Sequence, residues 1–265
     1  MEIEVDGMTI DVSSGTTIMQ ALQELGYQIK RSFSGKGLFM PCQLGGCWAC
    51  AVDIDDQPGR ACITLARPGM KIKTTLTNLS PIRLVGGFMG HSVGGVGTPW
   101  WLKGYCIEVA CFASGCNFRC PQCQNWQSTY ASAGQPLLPQ EAAKIMTETR
   151  MRYRVNRLAI SGGECTLNKP WLLQYLRNLR ELNPGACLHV DTNGSILTND
   201  YLDELVCAGM TDIGIDLKAL RLSTFEKITG LSDTDLAGEY IKTAWKAIEY
   251  LLEKYPTIFL GVGIP

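Results

Sequence analysis

The residues of this chain most able to do chemistry are its cysteines, of which there are 12 among 265 residues. The N-terminus, MEIEVDGMTI, has neither the basic start nor the apolar run of an export signal, so we expect a cytoplasmic protein. Disulfides do not persist in a reducing compartment, and clustered cysteines there favour metal binding or redox chemistry. The presence of only two histidines argues against a His-rich zinc site or a serine–histidine triad.

The first cysteine group has the pattern C-x4-C-x2-C-x11-C and consists of Cys42, Cys47, Cys50 and Cys62. Its first part has the plant-type 2Fe–2S spacing, and Gly45 and Gly46 supply small residues where a loop must fold around a cluster. A zinc knuckle and buried structural thiols are the alternatives. Zinc sites usually show two close pairs, which fits a triple followed by one distant cysteine less well.

The second group, Cys116, Cys120 and Cys123, has the pattern C-x3-C-x2-C within SGCNFRCPQCQNW. Three thiolates on one loop can bind three irons of a 4Fe–4S cube and leave the fourth iron without a protein ligand. An open coordination position is what a catalytic metal site needs. The alternative is a structural cluster or zinc loop on an unrelated α/β fold.

The first group lies in a segment that resembles a known family. PCQLGGCWAC followed by ACITLARPGMKIKT is similar to the β-grasp ferredoxin domain of molybdenum hydroxylases and succinate dehydrogenase. The resemblance covers residues 1–80 and implies a small α+β domain whose four cysteines hold a 2Fe–2S cluster. Trp48 is a departure, because a glycine commonly occupies that position.

The second group resembles the radical S-adenosylmethionine (radical SAM) superfamily, and three further motifs support this. SGGECT runs from Ser161 to Thr166, DTNG from Asp191 to Gly194, and GIDLK from Gly214 to Lys218, each at the end of a predicted strand. The resemblance implies a 4Fe–4S cluster, SAM as the small-molecule partner, and a 5′-deoxyadenosyl radical as the product of SAM cleavage. The implied SAM contacts are Gly162, Gly163, Glu164, Asp191, Asn193, Asp216 and Lys218.

Within that resemblance, Glu164 and Asp216 would face the SAM ammonium and Lys218 its carboxylate. Gly162 and Gly163 would let the backbone approach the methionine moiety. The Asp-x-Lys pattern is nearest to the activating enzymes of glycyl radical proteins, which makes a protein substrate plausible. The family usually has an aromatic residue next to the adenine just before the third cysteine, but this chain has Gln122, with Phe118 and Trp126 off register.

The elements that must position these residues divide the chain in two. Residues 1–80 predict a hairpin, a helix begun by the Thr17–Gln20 capping box, and further short strands. From residue 105 the pattern alternates strands with amphipathic helices, which predicts a parallel sheet with function at the carboxyl ends of its strands. The predicted strands span 105–112, 157–161, 187–191, 211–217 and 257–264.

The expected fold class is therefore a partial (β/α)6-type barrel preceded by the β-grasp domain. Five strands are one fewer than the family core contains, so we expect either a fragment or a barrel completed by another polypeptide. Glycines and prolines in residues 81–104 predict a flexible linker, with a lid as the alternative. The remaining cysteines are interpreted as small buried apolar side chains, with Cys111 and Cys165, near the rim of the second cluster, as the first exceptions to consider: Cys106, Cys111, Cys165, Cys187 and Cys207. His189 in the third strand is interpreted mainly as a core residue.

Net charge and apolar content limit the kinds of partner that we expect for this protein. A net charge of −1 gives no reason to expect nucleic acid, and no apolar stretch is long enough for a membrane span. The main hypothesis is a radical SAM enzyme whose 2Fe–2S domain passes on electrons from a donor such as a ferredoxin or flavodoxin. The alternative is a non-catalytic electron-transfer or cluster-carrier subunit on the same scaffold.

Overall fold

The computed structural model describes residues 1–76 and 80–264. Two parts of the chain lie outside the described residues, namely residues 77–79, close to the expected end of the domain 1–80, and Pro265. None of the described helices is both long and apolar enough to cross a bilayer.

The N-terminal domain is a mixed sheet with one helix on it. Its elements are β1 (Glu2–Val5), β2 (Met8–Asp11), α1 (Ile18–Glu24), β3 (Ile29–Lys30), β4 (Leu38–Phe39), β5 (Ala51–Ile54), β6 (Gln57–Arg60) and β7 (Lys71–Lys73). The main sheet has the order β2-β1-β7-β5-β6, and β3 and β4 pair separately. The predicted hairpin is confirmed as the antiparallel pair β1–β2. The predicted capping box is also confirmed, because Thr17 and Gln20 each bond the other's backbone N–H at the start of α1.

The C-terminal domain alternates strands and helices as predicted. Its elements are β8 (Val85–His91), β9 (Glu108–Ala113), α2 (Trp126–Thr129), α3 (Pro139–Tyr153), β10 (Arg157–Gly162), a 3-10 turn (Cys165–Leu167), α4 (Lys169–Leu182), β11 (Cys187–Thr192), α5 (Asn199–Cys207), β12 (Asp212–Asp216), α6 (Leu222–Thr229), α7 (Thr234–Lys254) and β13 (Phe259–Gly263). The sheet order is β13-β12-β11-β10-β9-β8. The strands β9 to β13 are parallel, so their carboxyl ends share one edge.

The segment 81–104 differs from a simple linker because it contains β8. This strand pairs antiparallel with β9, with Met89 opposite Ala110, and so satisfies the backbone groups of an edge that would otherwise be open. Its glycines hid the strand pattern. They are needed for packing: a Cβ on Gly90 would lie 2.6 Å from the Tyr153 ring of α3.

The cysteines outside the two groups only partly match their expected burial. Cys111 and Cys165 are buried, as expected. Cys187 and Cys207 are exposed, because Cys187 is the first residue of β11 and Cys207 the last of α5. Cys106 is half-buried and precedes β9, and its thiol lies 3.1 Å from the Glu108 carbonyl.

Candidate functional site

The four cysteines of the first group converge. Cys42 Sγ lies 3.0 Å from Cys47 Sγ, and Cys50 Sγ lies 3.2 Å from Cys62 Sγ. The backbone N–H of Leu44 points at the Cys42 sulfur and that of Ala49 at the Cys47 sulfur, both at 3.4 Å. Amide-to-sulfur hydrogen bonds are a means by which proteins tune iron–sulfur clusters. The donor set and its N–H groups therefore fit a 2Fe–2S cluster.

The three cysteines of the second group line one open cleft of about 290 Å³ at the carboxyl edge of the parallel strands. The same cleft is lined by every residue that the sequence predicted to contact SAM: Gly162, Gly163, Glu164, Asp191, Asn193, Asp216 and Lys218. Burial raises the pKa of Cys116 to about 12. A thiolate there therefore needs a nearby positive charge, which a bound metal ion would supply.

The two glycines at the end of β10, Gly162 and Gly163, allow close packing of the loop that carries the second cysteine group. Gly162 has a φ of +103°, and a Cβ there would lie 2.7 Å from the Ala113 backbone. A Cβ on Gly163 would lie 2.4 Å from the carbonyl oxygen of Gly115, the residue before the first cysteine of the group. The Gly163 N–H also donates to the Ala113 carbonyl at 2.7 Å. The close backbone contacts of these two glycines are thus with the end of β9 and with the loop that follows it.

Glu164 is almost fully buried, and its carboxylate is occupied by neighbouring donors. Oε1 accepts from the Thr166 N–H, the Thr166 hydroxyl and, at 2.6 Å, the Thr192 hydroxyl. Oε2 accepts from the Asn193 N–H at 2.7 Å. A carboxylate offers about four acceptor sites. Glu164 therefore links the ends of β10 and β11 through hydrogen bonds. Its hydrogen bond to the SAM ammonium stays a prediction.

Asp191 and Asn193 lie at and just beyond the end of β11. The Ser161 hydroxyl donates to Asp191 at 2.7 Å, and burial raises the pKa of Asp191 to about 7 despite that bond. Asn193 donates to the Asn117 side-chain oxygen at 3.0 Å, and Asn117 in turn donates to the Ser195 hydroxyl at 2.8 Å. Sequence reasoning missed Asn117 and Ser195. The signal available in the sequence was the position of Asn117, an amide residue between Cys116 and Cys120.

Asp216 is the last residue of β12, Lys218 follows the strand, and the two form an ion pair with each other. Lys218 adopts a φ of +68°, which turns the chain at the strand end. Burial alone would lower the pKa of Lys218, but the Asp216 carboxylate outweighs it and the net shift is upward. Lys218 thus stays charged in the cleft, as a partner for a carboxylate must be.

Of the two aromatic residues near the second cysteine group, one lines the cleft and the other does not. Phe118 lines the cleft and packs against Phe225, but it is almost fully buried and so exposes little ring surface for stacking. Trp126 begins α2, is exposed, and is outside the lining residues. Gln122 lies in the lining, and its amide is 3.4 Å from the Ile228 carbonyl.

Arg83, which the sequence analysis did not identify, links the loops that follow β9 and β10 at the carboxyl edge of the sheet. It is fully buried and donates to the carbonyls of Ser114 at 3.0 Å, Glu164 at 2.6 Å and Cys165. It comes from the segment expected as a linker. No periodic pattern marks a buried arginine that bonds only carbonyls, so the sequence offered no signal for it.

Comparisons with known proteins agree with this geometry. Residues 111–265 match the model of the radical SAM superfamily, and residues 1–76 match that of a 2Fe-2S iron-sulfur cluster binding domain. A probable GTP 3′,8-cyclase of Saccharolobus solfataricus is 32% identical over 129 residues, 49% of this chain and 40% of the relative. The molybdenum cofactor biosynthesis protein moc-5 of Caenorhabditis elegans is 26% identical over 149 residues, 56% of this chain and 23% of the relative.

This chain thus spans less than half the length of these relatives. A similar solved structure is that of HydG, a maturase of the FeFe hydrogenase, with 17% identity, a TM-score of 0.42, and coverage of 56% of this chain and 32% of HydG. The two matched models confirm the predicted cofactors, namely a 4Fe–4S cluster, SAM and a 2Fe–2S cluster. Because the first model covers more than half of the residues, this chain belongs to the radical SAM superfamily.

Proposed function

We propose that this chain is an enzyme that reductively cleaves SAM, with the electron supplied through its own 2Fe–2S domain. The carrying observation is that one cleft brings together Cys116, Cys120 and Cys123 with every predicted SAM contact. The cleft lies at the carboxyl edge of parallel strands, as a partial barrel requires. A carrier subunit would have no use for the charged pair Asp216–Lys218 beside the cysteines, which disfavours the non-catalytic alternative.

The chain's own residues bind and orient the cofactor. Cys116, Cys120 and Cys123 would hold the 4Fe–4S cluster, which when bound supplies the electron that splits SAM into methionine and a 5′-deoxyadenosyl radical. Lys218 would bind the SAM carboxylate and Asp216 its ammonium. The interlocked turns around Glu164 hold these loops rigid, as a precisely positioned reaction needs.

Cys42, Cys47, Cys50 and Cys62 would hold the 2Fe–2S cluster. The N-terminal domain, which carries them, packs directly against the C-terminal domain, here called the SAM domain. Asn168 of the SAM domain donates to the Cys47 carbonyl at 2.9 Å. We propose that an external donor of the ferredoxin or flavodoxin class reduces this cluster.

The substrate is a separate question. The Asp-x-Lys pattern suggested a protein substrate, but relatives found by comparison are named for GTP cyclisation, which favours a nucleotide. We therefore propose GTP as the first substrate to test. Turnover of GTP in a chain that spans 40% of that relative would also show that this part suffices.

The test is 5′-deoxyadenosine formation by the anaerobically reconstituted protein with dithionite and SAM. Cys120→Ala should abolish the product and leave the 2Fe–2S spectrum intact. Cys50→Ala should remove that spectrum and leave dithionite-driven cleavage. Absence of product from protein loaded with both clusters would reject the enzyme proposal in favour of the carrier alternative.

A further inference from the structure

The first cysteine group straddles the two hydrophobic cores of the molecule. Cys50 and Cys62 pack in the core of the N-terminal domain, together with residues such as Ile18. Cys42 and Cys47 are fully buried in the core of the SAM domain. Two of the four predicted 2Fe–2S ligands therefore lie on the SAM-domain side of the boundary.

The two cysteine loops touch backbone to backbone at this boundary. A Cβ on Gly46 would lie 2.6 Å from the Gly115 nitrogen, and a Cβ on Gly115 would lie 2.6 Å from the Cys47 nitrogen. Gly46 precedes Cys47, and Gly115 precedes Cys116. Side chains larger than hydrogen would force the loops apart, so the paired glycines permit the closest approach that two chains allow.

One side chain joins the loops next to this contact. The Arg119 guanidinium donates through Nη2 to the Cys42 carbonyl at 2.6 Å, and through Nη1 to the carbonyls of Cys116 at 2.9 Å and Phe118 at 2.8 Å. It thus bonds one predicted ligand residue of each cluster. Within residues 1–76 and 80–264, no carboxylate lies within 4 Å to form a salt bridge with Arg119. The two clusters, once bound, would place negative charge beside this cation.

We propose that Arg119 is a positioning residue shared by both clusters, and that the contact it clamps is the route by which an electron passes directly from the 2Fe–2S to the 4Fe–4S cluster. The inference rests on the proposed function for its electron flow. A cation beside both clusters stabilises the more negative, reduced form of each and so raises both potentials. The fork of the guanidinium suits two carbonyls at once in a way that a lysine cannot.

The step balances as a one-electron exchange in which no covalent bond forms or breaks. The reduced 2Fe–2S cluster gives up one electron and is oxidised, and the 4Fe–4S cluster gains it and is reduced. An external one-electron donor of the ferredoxin or flavodoxin class then reduces the 2Fe–2S cluster again.

The test compares the full-length, cluster-loaded protein with Arg119→Gln. A redox titration followed by electron paramagnetic resonance should show both midpoint potentials shifted to lower values. After photoreduction, rapid-freeze spectra should show electron transfer between the clusters slowed about tenfold or more, the scale on which outer contacts act at metal sites. A shift at one cluster only, or at neither, would overturn the shared role.

Arg60→Gln is the matched control. Arg60 also crosses the domain boundary and donates to two carbonyls, those of Ser132 at 2.6 Å and Gly45 at 3.2 Å, neither of them a predicted ligand. Because Gly45 lies in the loop of the first cysteine group, Arg60→Gln should lower at most the 2Fe–2S potential, and it should leave the 4Fe–4S potential and the transfer rate at wild-type values. Equal effects of the two variants would mean that Arg119 only fastens the domains together, which rejects the proposal.

If the Arg119→Gln protein fails to retain a cluster, the same measurements are made on Arg119→Lys. It retains the charge but not the fork, so both potentials should stay near wild type while the transfer slows. Transfer at the wild-type rate in Arg119→Lys would reject the bridge. None of these measurements requires SAM cleavage, so a protein that shows the shifts but forms no 5′-deoxyadenosine would keep the bridge and reject the proposed function.

Discussion

The carboxylate of Glu164 accepts the backbone N–H of Asn193 at 2.7 Å, and this bond ties the end of β10 to the end of β11. The Thr192 hydroxyl donates to the same carboxylate at 2.6 Å. A glutamate that sequence motifs assign to ligand binding is thereby also a structural element of the cleft. Its two roles separate in experiment, because stability and SAM affinity are independent measurements.

Glu164→Ala should lower the free energy of unfolding by about 3 kcal/mol or more, because it leaves several buried donors unpaired at about 1–3 kcal/mol each. Denaturant unfolding of protein with matched cluster loading measures this. Glu204→Ala is the control. It removes only the partly exposed pair with Lys169 and should cost less than about 1 kcal/mol. Equal losses in the two variants would contradict the structural role of Glu164.

Gly163→Ala should displace the second cysteine loop, because the new Cβ would meet the Gly115 carbonyl at 2.4 Å. Overpacking of this kind costs about 1–3 kcal/mol, and we expect the strain to appear as lower retention of the 4Fe–4S cluster. Iron and sulfide analysis with visible spectra measures it. Gly185→Ala has no atom within 4 Å of its Cβ and should retain iron like the wild type.

Lys218→Met should weaken SAM binding about tenfold or more, since a hydrogen bond to a charged group contributes about 1.5–3 kcal/mol. Both clusters should remain at wild-type content. Equilibrium dialysis with SAM measures the affinity. Lys254→Met removes a lysine of the same type that pairs with Asp203 on α5 and should bind SAM normally. Wild-type affinity in Lys218→Met would remove Lys218 from the site.

His189 should make the protein less stable as the pH falls below about 6.5. Burial, reinforced by the Arg157 cation, holds its pKa well below the usual 6.5, although the Asp212 carboxylate lies 3.8 Å away. Asp212 and Glu108 are both already paired with Arg157, so His189 stays neutral. The unfolded chain takes up the proton that the folded chain refuses, at a slope of up to about 1.4 kcal/mol per pH unit.

The measurement is the difference in unfolding free energy between His189→Gln and wild type from pH 7.5 to 5. A difference is needed because Asp191, with its pKa raised to about 7, acts in the opposite direction and loses its contribution as the pH rises through 7. His189→Gln should fall less steeply toward low pH than the wild type. Parallel curves would show that His189 is protonated in the folded state.

Much of this protein can be read from its sequence, because the informative signals are local. Strand and helix positions follow from apolar periodicity, and the close cysteine spacings, Cys42 to Cys50 and Cys116 to Cys123, are typical of a single loop around a cluster. The motifs at Gly162, Asp191 and Asp216 lie where successive parallel strands end, so their meeting in one cleft follows from topology. Periodicity failed at β8, because its glycines carry no apolar pattern.

Only the tertiary structure decided how the two halves meet. Three contacts join residues that are distant in the chain: Gly46 with Gly115, Arg119 with the Cys42 carbonyl, and the buried Arg83 with the Ser114 carbonyl. Such contacts depend on backbone carbonyls, which every residue possesses, and on glycines whose role is to leave space. Neither can be recognised from residue type or spacing. The sequence by itself therefore predicted the two cluster sites, and only the tertiary structure placed the two cysteine groups next to each other.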